Sequence, residues 1–444
     1  MPFAPHNIML LCLLLQPTTS AALLGRLVGA RKRRVGLVSP GIERVRSFWR
    51  KDETPRSRRL AEMIRLQPSL DRSTYTPTPW ARSSKANFVL ATTRSRLGAL
   101  RRAVEPPLTN RVSETGDADV HVEWAKDEVG AALPADAPIV VFLHTITGSA
   151  AQTRWLTSAA SERGWRSCVF VRRGHGGRLS SPSFDLLGNA DDVELQLAAV
   201  RRAYPRASFL GMVGVSAGSS LLVTHLGRAG ASTPVGAACA ICPAWDTAYA
   251  FSQLGVTQPV AERAMVQSIK SRFVRRNARV LRAWDESAYQ ACMAATSLPE
   301  MLAAHAPYAM RQHGATAEEY YAAHDPMSDR RGVTVPTLLL NAEDDFVCPA
   351  ALARPDVIVD EQPGALLMMT KSGSHVAFNE GAFALGEPYH LRVSFDFLEA
   401  ARATAGGISK APSAGSMQGV VVPTAALLTS KRRARQEADQ ARTR

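Results

Sequence analysis

Ser208-Phe-Leu-Gly-Met-Val213 is an apolar run that leads straight into Gly214-Val215-Ser216-Ala217-Gly218. Ser219-Ser-Leu-Leu-Val-Thr-His-Leu-Gly-Arg228 follows and reads as a helix. Strand, G-x-S-x-G and helix in that order describe a sharp turn that lifts a serine above the end of a sheet. The glycines have a steric reason. The turn is so tight that the residues two before and two after the serine must be small, and Gly214 and Gly218 meet that need. The backbone N–H of Ala217 opens the helix, free to face a developing oxyanion with the positive end of the helix dipole behind it. Taken alone, the pattern fits a glycine-rich turn with a solvent-facing serine equally well. Its surroundings decide.

Upstream, Asp119-Val-His-Val-Glu-Trp124 alternates and predicts an early strand. Ala137-Pro-Ile-Val-Val-Phe-Leu143 is continuously apolar, as a strand buried on both faces is. A helix around 151–164, a strand at 166–171, the turn Arg172-Arg-Gly-His-Gly-Gly177 and a helix over 189–204 complete the approach. Downstream, strands are expected at 235–242, 335–341 and 365–370, and a last helix at about 387–402. Between 246 and 330 the rhythm gives way to helix-rich sequence without a strong strand. Such alternation predicts an α/β fold with a mostly parallel central sheet and helices on both faces. The expected organisation is a basic N-terminal segment 1–60, a core in two parts (61–245 and 331–403), a helical cap 246–330 between them, and a basic tail 404–444 read as disordered.

In doubly wound sheets, sites collect at the carboxyl ends of the strands. Ser216 stands at one such end. Asn341-Ala-Glu-Asp344-Asp345-Phe-Val-Cys-Pro349 follows the next-to-last strand, Lys371-Ser-Gly-Ser-His375 the last, and His144-Thr-Ile-Thr-Gly148 an early one. Serine, then acid, then histidine is the chain order of one of the convergent hydrolytic triads. In it His375 would take the Ser216 proton, and an aspartate would orient the imidazole. Asp345 is preferred to Asp344 because its D-x-x-x-P spacing to Pro349 suits an acid loop, with Glu343 a distant third. The backbone N–H groups of Ala217 and Ile146 are the expected oxyanion donors. A loop histidine is often merely solvated and a DD pair often caps a helix. Three strand ends in this order weigh against both readings.

The net charge of +14 belongs to the termini. Residues 1–60 carry 12 Lys/Arg against 3 Asp/Glu, and residues 409–444 carry 7 against 2, which leaves 61–408 neutral. No basic, aromatic-laced face is left for nucleic acid. The six cysteines suggest neither disulfides nor a metal site: Cys239-Ala-Ile-Cys242 lies in an apolar run where thiols pack as small hydrophobes. Ile8-Met-Leu-Leu-Cys-Leu-Leu-Leu15, then Pro17 and small residues to Ala22, resembles a secretory signal or signal anchor. With the Arg-rich stretch from Arg26 to Arg59, it is similar to a two-part plastid address. Entry to the secretory route, a plastid or a membrane-associated destination is the expectation. The basic tails suit anionic lipid surfaces.

With these residues placed, the stretch from about 70 to 403 resembles an α/β-hydrolase. It is similar to the branch of abhydrolase-domain lipases and YheT-type esterases. The likeness is carried by Tyr75-Thr-Pro-Thr-Pro-Trp80, Phe170-Val-Arg-Arg-Gly174, Ser208–Gly218, Cys242-Pro-Ala-Trp-Asp246, Glu319-Tyr-Tyr321, Val335–Asp345 and His375-Val-Ala-Phe-Asn-Glu-Gly381. The resemblance implies hydrolysis of carboxylic esters, often of acylglycerols or phospholipids, with no metal or cofactor. It also implies an acyl-chain pocket under the cap, for which Tyr249, Phe251, Leu254, Met265, Met301 and Met310 are candidates. Departures from the family pattern are Thr145 for a glycine, Phe346 for a proline, Ser374 in the usual Gly-Gly-His, and a missing asparagine before Arg172-Arg-Gly174. They touch no catalytic side chain. Another acyl bond (thioester or amide) and a non-catalytic binding role are the alternatives. His324-Asp-Pro-Met-Ser-Asp329 matches an acyltransferase-like H-x-x-x-x-D pattern and reads as coincidence.

Overall fold

The continuously apolar runs form the middle of a sheet whose two faces are both covered. The structure, a computed structural model, describes residues 41–405 apart from 82, 102–108, 111–114, 116, 126–132, 383 and 385. Its strands are β1 (Glu43–Arg44), β2 (Arg46–Phe48), β3 (Thr74–Tyr75), β4 (Thr109–Asn110), β5 (His121–Trp124), β6 (Ile139–Leu143), β7 (Arg166–Val171), β8 (Leu210–Val215), β9 (Ala237–Ile241), β10 (Thr337–Ala342) and β11 (Ala365–Thr370). Nine of them pair in the order β2-β11-β10-β9-β8-β6-β7-β5-β4. The run from β7 to β11 is parallel; β2 at one edge and β5 and β4 at the other are antiparallel.

Side chains alternate between the faces. Val140 and Phe142 of β6 join Trp165, Phe395 and Leu398 on one side, and Ile139, Val141 and Leu143 join Val193, Leu197 and Leu222 on the other. The first face is covered by α3 (Arg154–Glu162) and α14 (Tyr389–Ala405), the second by α4 (Ala190–Ala203) and α5 (Ala217–Ala229). Helix α4 starts at Asn189, whose side chain accepts from the Asp191 N–H at 2.8 Å. Asp191 and Asp192 lie in its first turn and Arg201 and Arg202 in its last, so its charges complement the dipole. The remaining helices outside the cap are α1 (Pro55–Leu66), α2 (Ser84–Arg101) and α13 (Pro355–Glu361).

Setting residues 1–60 aside from the fold requires correction. Residues 43–60 belong to it. Phe48, Ser47 and Arg46 of β2 pair with Leu367, Met368 and Met369 of β11, and β1 pairs with β3. Val45, Leu60 and Met63 are buried in the main core. Thr54 caps α1 by accepting from the Ser57 N–H at 3.2 Å. The reason is visible in α1 itself: Leu60 and Met63 sit three apart and form a stripe, while arginine fills the solvent side. Arginine-rich composition hid an amphipathic helix.

Between β9 and β10 the chain is helical: α6 (Thr247–Thr257), α7 (Pro259–Ile269), a π-helical turn (Lys270–Val274), α8 (Ala278–Trp284), α9 (Glu286–Ala294), α10 (Leu298–Met310), α11 (Ala317–Ala323) and α12 (Pro326–Asp329). These helices have a core of their own, including Leu298, Met301, Leu302 and Tyr320. A fully buried Leu or Met contributes roughly 1.5–3 kcal/mol, so these side chains favour the packing of this layer. The signal-like residues 8–22 and the tail from 406 lie outside the described residues. Among the described residues no helix is long and apolar enough to cross a membrane.

Candidate active site

Ser216 sits between β8 and α5 with φ 55° and ψ −122°, a backbone region that costs an L-residue of order 1–3 kcal/mol. The flanking glycines are what make it attainable. A Cβ on Gly214 would lie 2.7 Å from Ser219 Cα, and one on Gly218 would lie 2.6 Å from the carbonyl carbon of Leu143. Both obstacles are backbone, so neither could move aside.

The loop after β11 carries His375 through a second strained stretch. Ser374, Val376 and Phe378 all have positive φ, at 54°, 60° and 40°. For β-branched Val376 this is a true outlier, and such outliers gather where a site dictates geometry. His375 Nε2 lies 2.7 Å from Ser216 Oγ, and His375 Nδ1 lies 2.9 Å from Asp345 Oδ2. Asp345 Oδ1 accepts from the N–H groups of Val347 and Cys348, each at 2.8 Å, so the carboxylate has one orientation. With Nδ1–H donating to Asp345, Nε2 is left as the acceptor of the serine proton. The neighbouring Asp344 is engaged elsewhere: its Oδ1 accepts from the Ser374 N–H at 2.7 Å. Glu343 pairs with Arg46 of β2.

Ile146 and Ala217 both line the cavity that opens over Ser216. Among the described residues neither N–H donates to a protein acceptor. The cavity holds about 510 Å³, within the usual range for a small-molecule site. Phe88 of α2, Trp155 of α3, Phe251, Leu254 and Met265 of the cap, and Phe346 line it. Phe88 and Phe346 meet edge to face at 5.3 Å, so the position where the family pattern has proline supplies a wall. Thr145 also lines the cavity. Three of the six cap residues expected there lie elsewhere: Tyr249 is exposed, Met301 is in the cap core and Met310 packs against it. Helix periodicity gives a face but not which of two apolar neighbours that face meets.

Other basic side chains crowd this strand end. Arg173 is buried and bridges Asp192 at 2.7 Å and Asp117 at 2.8 Å, which fixes the turn after β7. Burial, with Arg172 adjacent, holds His144 well below the ordinary imidazole range and brings His175 down to about 3. Both rings are neutral. Burial alone would raise the Asp185 carboxyl, but His324, His305 and Tyr320 hold it well below the usual carboxylate range. The H-x-x-x-x-D residues are thereby accounted for: His324 faces Asp185 at 3.6 Å, and Asp329 pairs with Arg228 at 2.9 Å.

The described cysteines are buried and unbridged. Cys242, Asp345 and His375 place ligand-type atoms within 4.8 Å of one another. Burial raises the Cys242 thiol well above its ordinary value, and Asp345 and His375 hydrogen-bond each other.

No protein-family model matches the chain. It is 27% identical over 347 residues to mouse phospholipase ABHD3, covering 74% of this chain and 78% of that protein. It is 27% identical over 221 residues to human protein ABHD15, covering 49% and 46%. The budding yeast medium-chain fatty acid ethyl ester synthase/esterase 2 is 25% identical over 274 residues, covering 55% and 58%. The chain has an α/β-hydrolase fold and is similar in sequence to abhydrolase-domain proteins.

Proposed function

We propose that this chain hydrolyses carboxylic esters of lipid-like substrates, of the acylglycerol, phospholipid or simple ester type, through an acyl-enzyme on Ser216. One observation carries the reading: Ser216, His375 and Asp345 stand in a hydrogen-bonded line at the floor of an apolar cavity. In the first half-reaction Ser216 Oγ attacks the ester carbonyl while His375 Nε2 takes its proton. The carbonyl oxygen becomes an oxyanion facing the N–H groups of Ile146 and Ala217, with the α5 dipole behind the latter. The tetrahedral centre collapses, His375 returns the proton to the departing alcohol, and the acyl group stays on Ser216. Water then repeats the sequence, with His375 as its base, and releases the acid. Asp345 orients the imidazole and stabilises its transient charge. The relatives named for phospholipase and esterase activity support an ester as the bond broken.

Fluorophosphonate labelling of the full chain, beside Ser216→Ala and His375→Ala, tests the reading. Labelling that requires both residues is expected. A folded wild type that does not label would overturn it. Matched ester, thioester and amide substrates then rank the bonds, with the ester expected to turn over fastest.

A further inference from the structure

Three consecutive carbonyls in the loop after β6 are each held by a basic side chain. The oxygen of Thr145 accepts from Arg172 Nη2 and lies 2.9 Å from His144 Nδ1. The oxygen of Ile146 accepts from His175 Nε2 at 2.9 Å. The oxygen of Thr147 accepts from Arg272 Nη1 at 2.8 Å. Arg172 and His175 come from the turn after β7, and Arg272 comes from the π-helical turn of the cap.

Arginine can only donate, which fixes the direction of the contacts that Arg172 and Arg272 make with the loop carbonyls. His144 Nε2 faces the Arg172 backbone N–H at 3.3 Å, and its Nδ1 lies 2.9 Å from the Thr145 oxygen and 3.0 Å from Arg172 Nη2, so the ring packs between Arg172 and the loop. His175 is neutral and has one proton to give. Its Nε2 faces Ile146 at 2.9 Å and its Nδ1 faces the Arg173 carbonyl at 3.2 Å, so the shorter contact takes the proton. The Phe273 ring packs on this imidazole at 4.2 Å between centroids and leaves it little freedom.

A peptide unit is planar, so holding its carbonyl also holds the N–H on its opposite side. The carbonyl of Thr145 and the N–H of Ile146 share one peptide, and the carbonyl of Ile146 belongs to the next. We propose that Arg172, His175 and Arg272 are positioning residues that aim the Ile146 N–H at the oxyanion, with Arg272 making that aim depend on the seating of the cap. This rests on the hydrolase reading above. Arg172 and His175 do not line the cavity, so they act through the loop; Arg272 lines it and holds the loop as well.

The test uses the full chain with His175→Phe, His175→Gln and Arg272→Met. Phenylalanine keeps the packing on Phe273 and removes the donor, whereas glutamine offers an N–H again. Readouts are kcat and KM on p-nitrophenyl butyrate, and affinity for two inhibitors of matched shape. One is a trifluoromethyl ketone that forms an oxyanion adduct with a serine; the other is an ether that cannot. His175→Phe is expected to lower kcat and ketone affinity by about 10–100-fold, because a misaimed donor acts only on the oxyanion. KM and ether affinity should stay within about twofold, and His175→Gln should recover most of the loss. Arg272→Met should show the same split between ketone and ether, and it decides the matter if His175→Phe does not fold. Unchanged kcat in a folded variant, equal weakening of both inhibitors, or a glutamine variant no better than phenylalanine would each overturn the proposal. If wild type is not labelled at Ser216 by fluorophosphonate, the hydrolase reading itself has failed and the positioning role falls with it.

Discussion

His375 Nδ1 lies 2.9 Å from Asp345 Oδ2, while Asp344, one residue earlier, gives its carboxylate to the Ser374 N–H at 2.7 Å. Two adjacent acids thus hold two adjacent residues of one loop, and only the second reaches the imidazole. Asp345→Asn is expected to lower kcat by about 10⁴-fold, because the amide favours the wrong histidine tautomer. Asp344→Asn keeps an acceptor for Ser374 and should cost less than about tenfold. Steady-state kinetics on one soluble ester compares them, and equal losses would contradict this division of labour.

Asp344 also predicts how stability follows pH. Burial, with the Asp345 charge alongside, raises its carboxyl to about 6 from the ordinary 3.8. The folded chain therefore holds this proton more tightly than the unfolded chain does. Across the window from about pH 4 to about pH 6, its contribution to stability falls as pH rises, and the loss is complete above that window. Asn cannot titrate, so Asp344→Asn should gain on wild type through the same window. Urea midpoints at about pH 4.5 and about pH 7 check the sign; a variant that gains on acidification instead would refute it.

Much of this site is legible in the sequence. Gly214 and Gly218 announce a turn that only small residues permit, and the runs at 137–143, 338–340 and 365–369 are apolar at every position because both sheet faces are covered. Local pattern therefore reports the sheet and the strand ends. It does not report the clamp on the loop after β6. Arg172 and His175 meet Thr145 and Ile146 across two strands, and Arg272 arrives from more than a hundred residues away. Nor does it report β1, where Glu43 accepts from the Ser372 N–H at 3.2 Å and so steadies the histidine loop from the N-terminal edge. Strands of two or three residues have no periodicity to detect. Their partners define them.

The elbow glycines make a prediction about stability as well as activity. An alanine at 218 would press its Cβ to 2.6 Å from the Leu143 carbonyl carbon and 2.8 Å from the His144 oxygen. Those atoms end β6 and begin the loop that carries Ile146, so any relief moves the oxyanion side of the site. Gly218→Ala is expected to lose roughly 1–3 kcal/mol, as overpacking typically does, together with fluorophosphonate labelling. Thermal melting beside the labelling rate measures both. A variant with wild-type melting and wild-type labelling would show that the turn is looser than it looks.

The N-terminal edge gives the last prediction. A chain shortened to begin at residue 61 would lose β1, β2 and the first half of α1, although composition marks that stretch as a basic leader. The loss is more than solvent-facing residues. β2 covers the outer edge of β11, the strand that delivers His375, and Val45 and Leu60 are buried in the core beneath it. Removing β2 leaves the hydrogen-bonding edge of β11 open, and an unpaired apolar edge such as Leu366-Leu-Met-Met369 invites association. Removing Leu60 and half its helix also uncovers part of α14. Emptying one large apolar site costs about 2–5 kcal/mol, a large share of the stability of a typical domain. The shortened chain should therefore be insoluble or melt well below the full chain, whereas one beginning at residue 41 keeps every one of these contacts. Expression and melting of the two chains side by side decide the point. A fully stable chain from residue 61 would show that β2 and α1 only decorate the sheet.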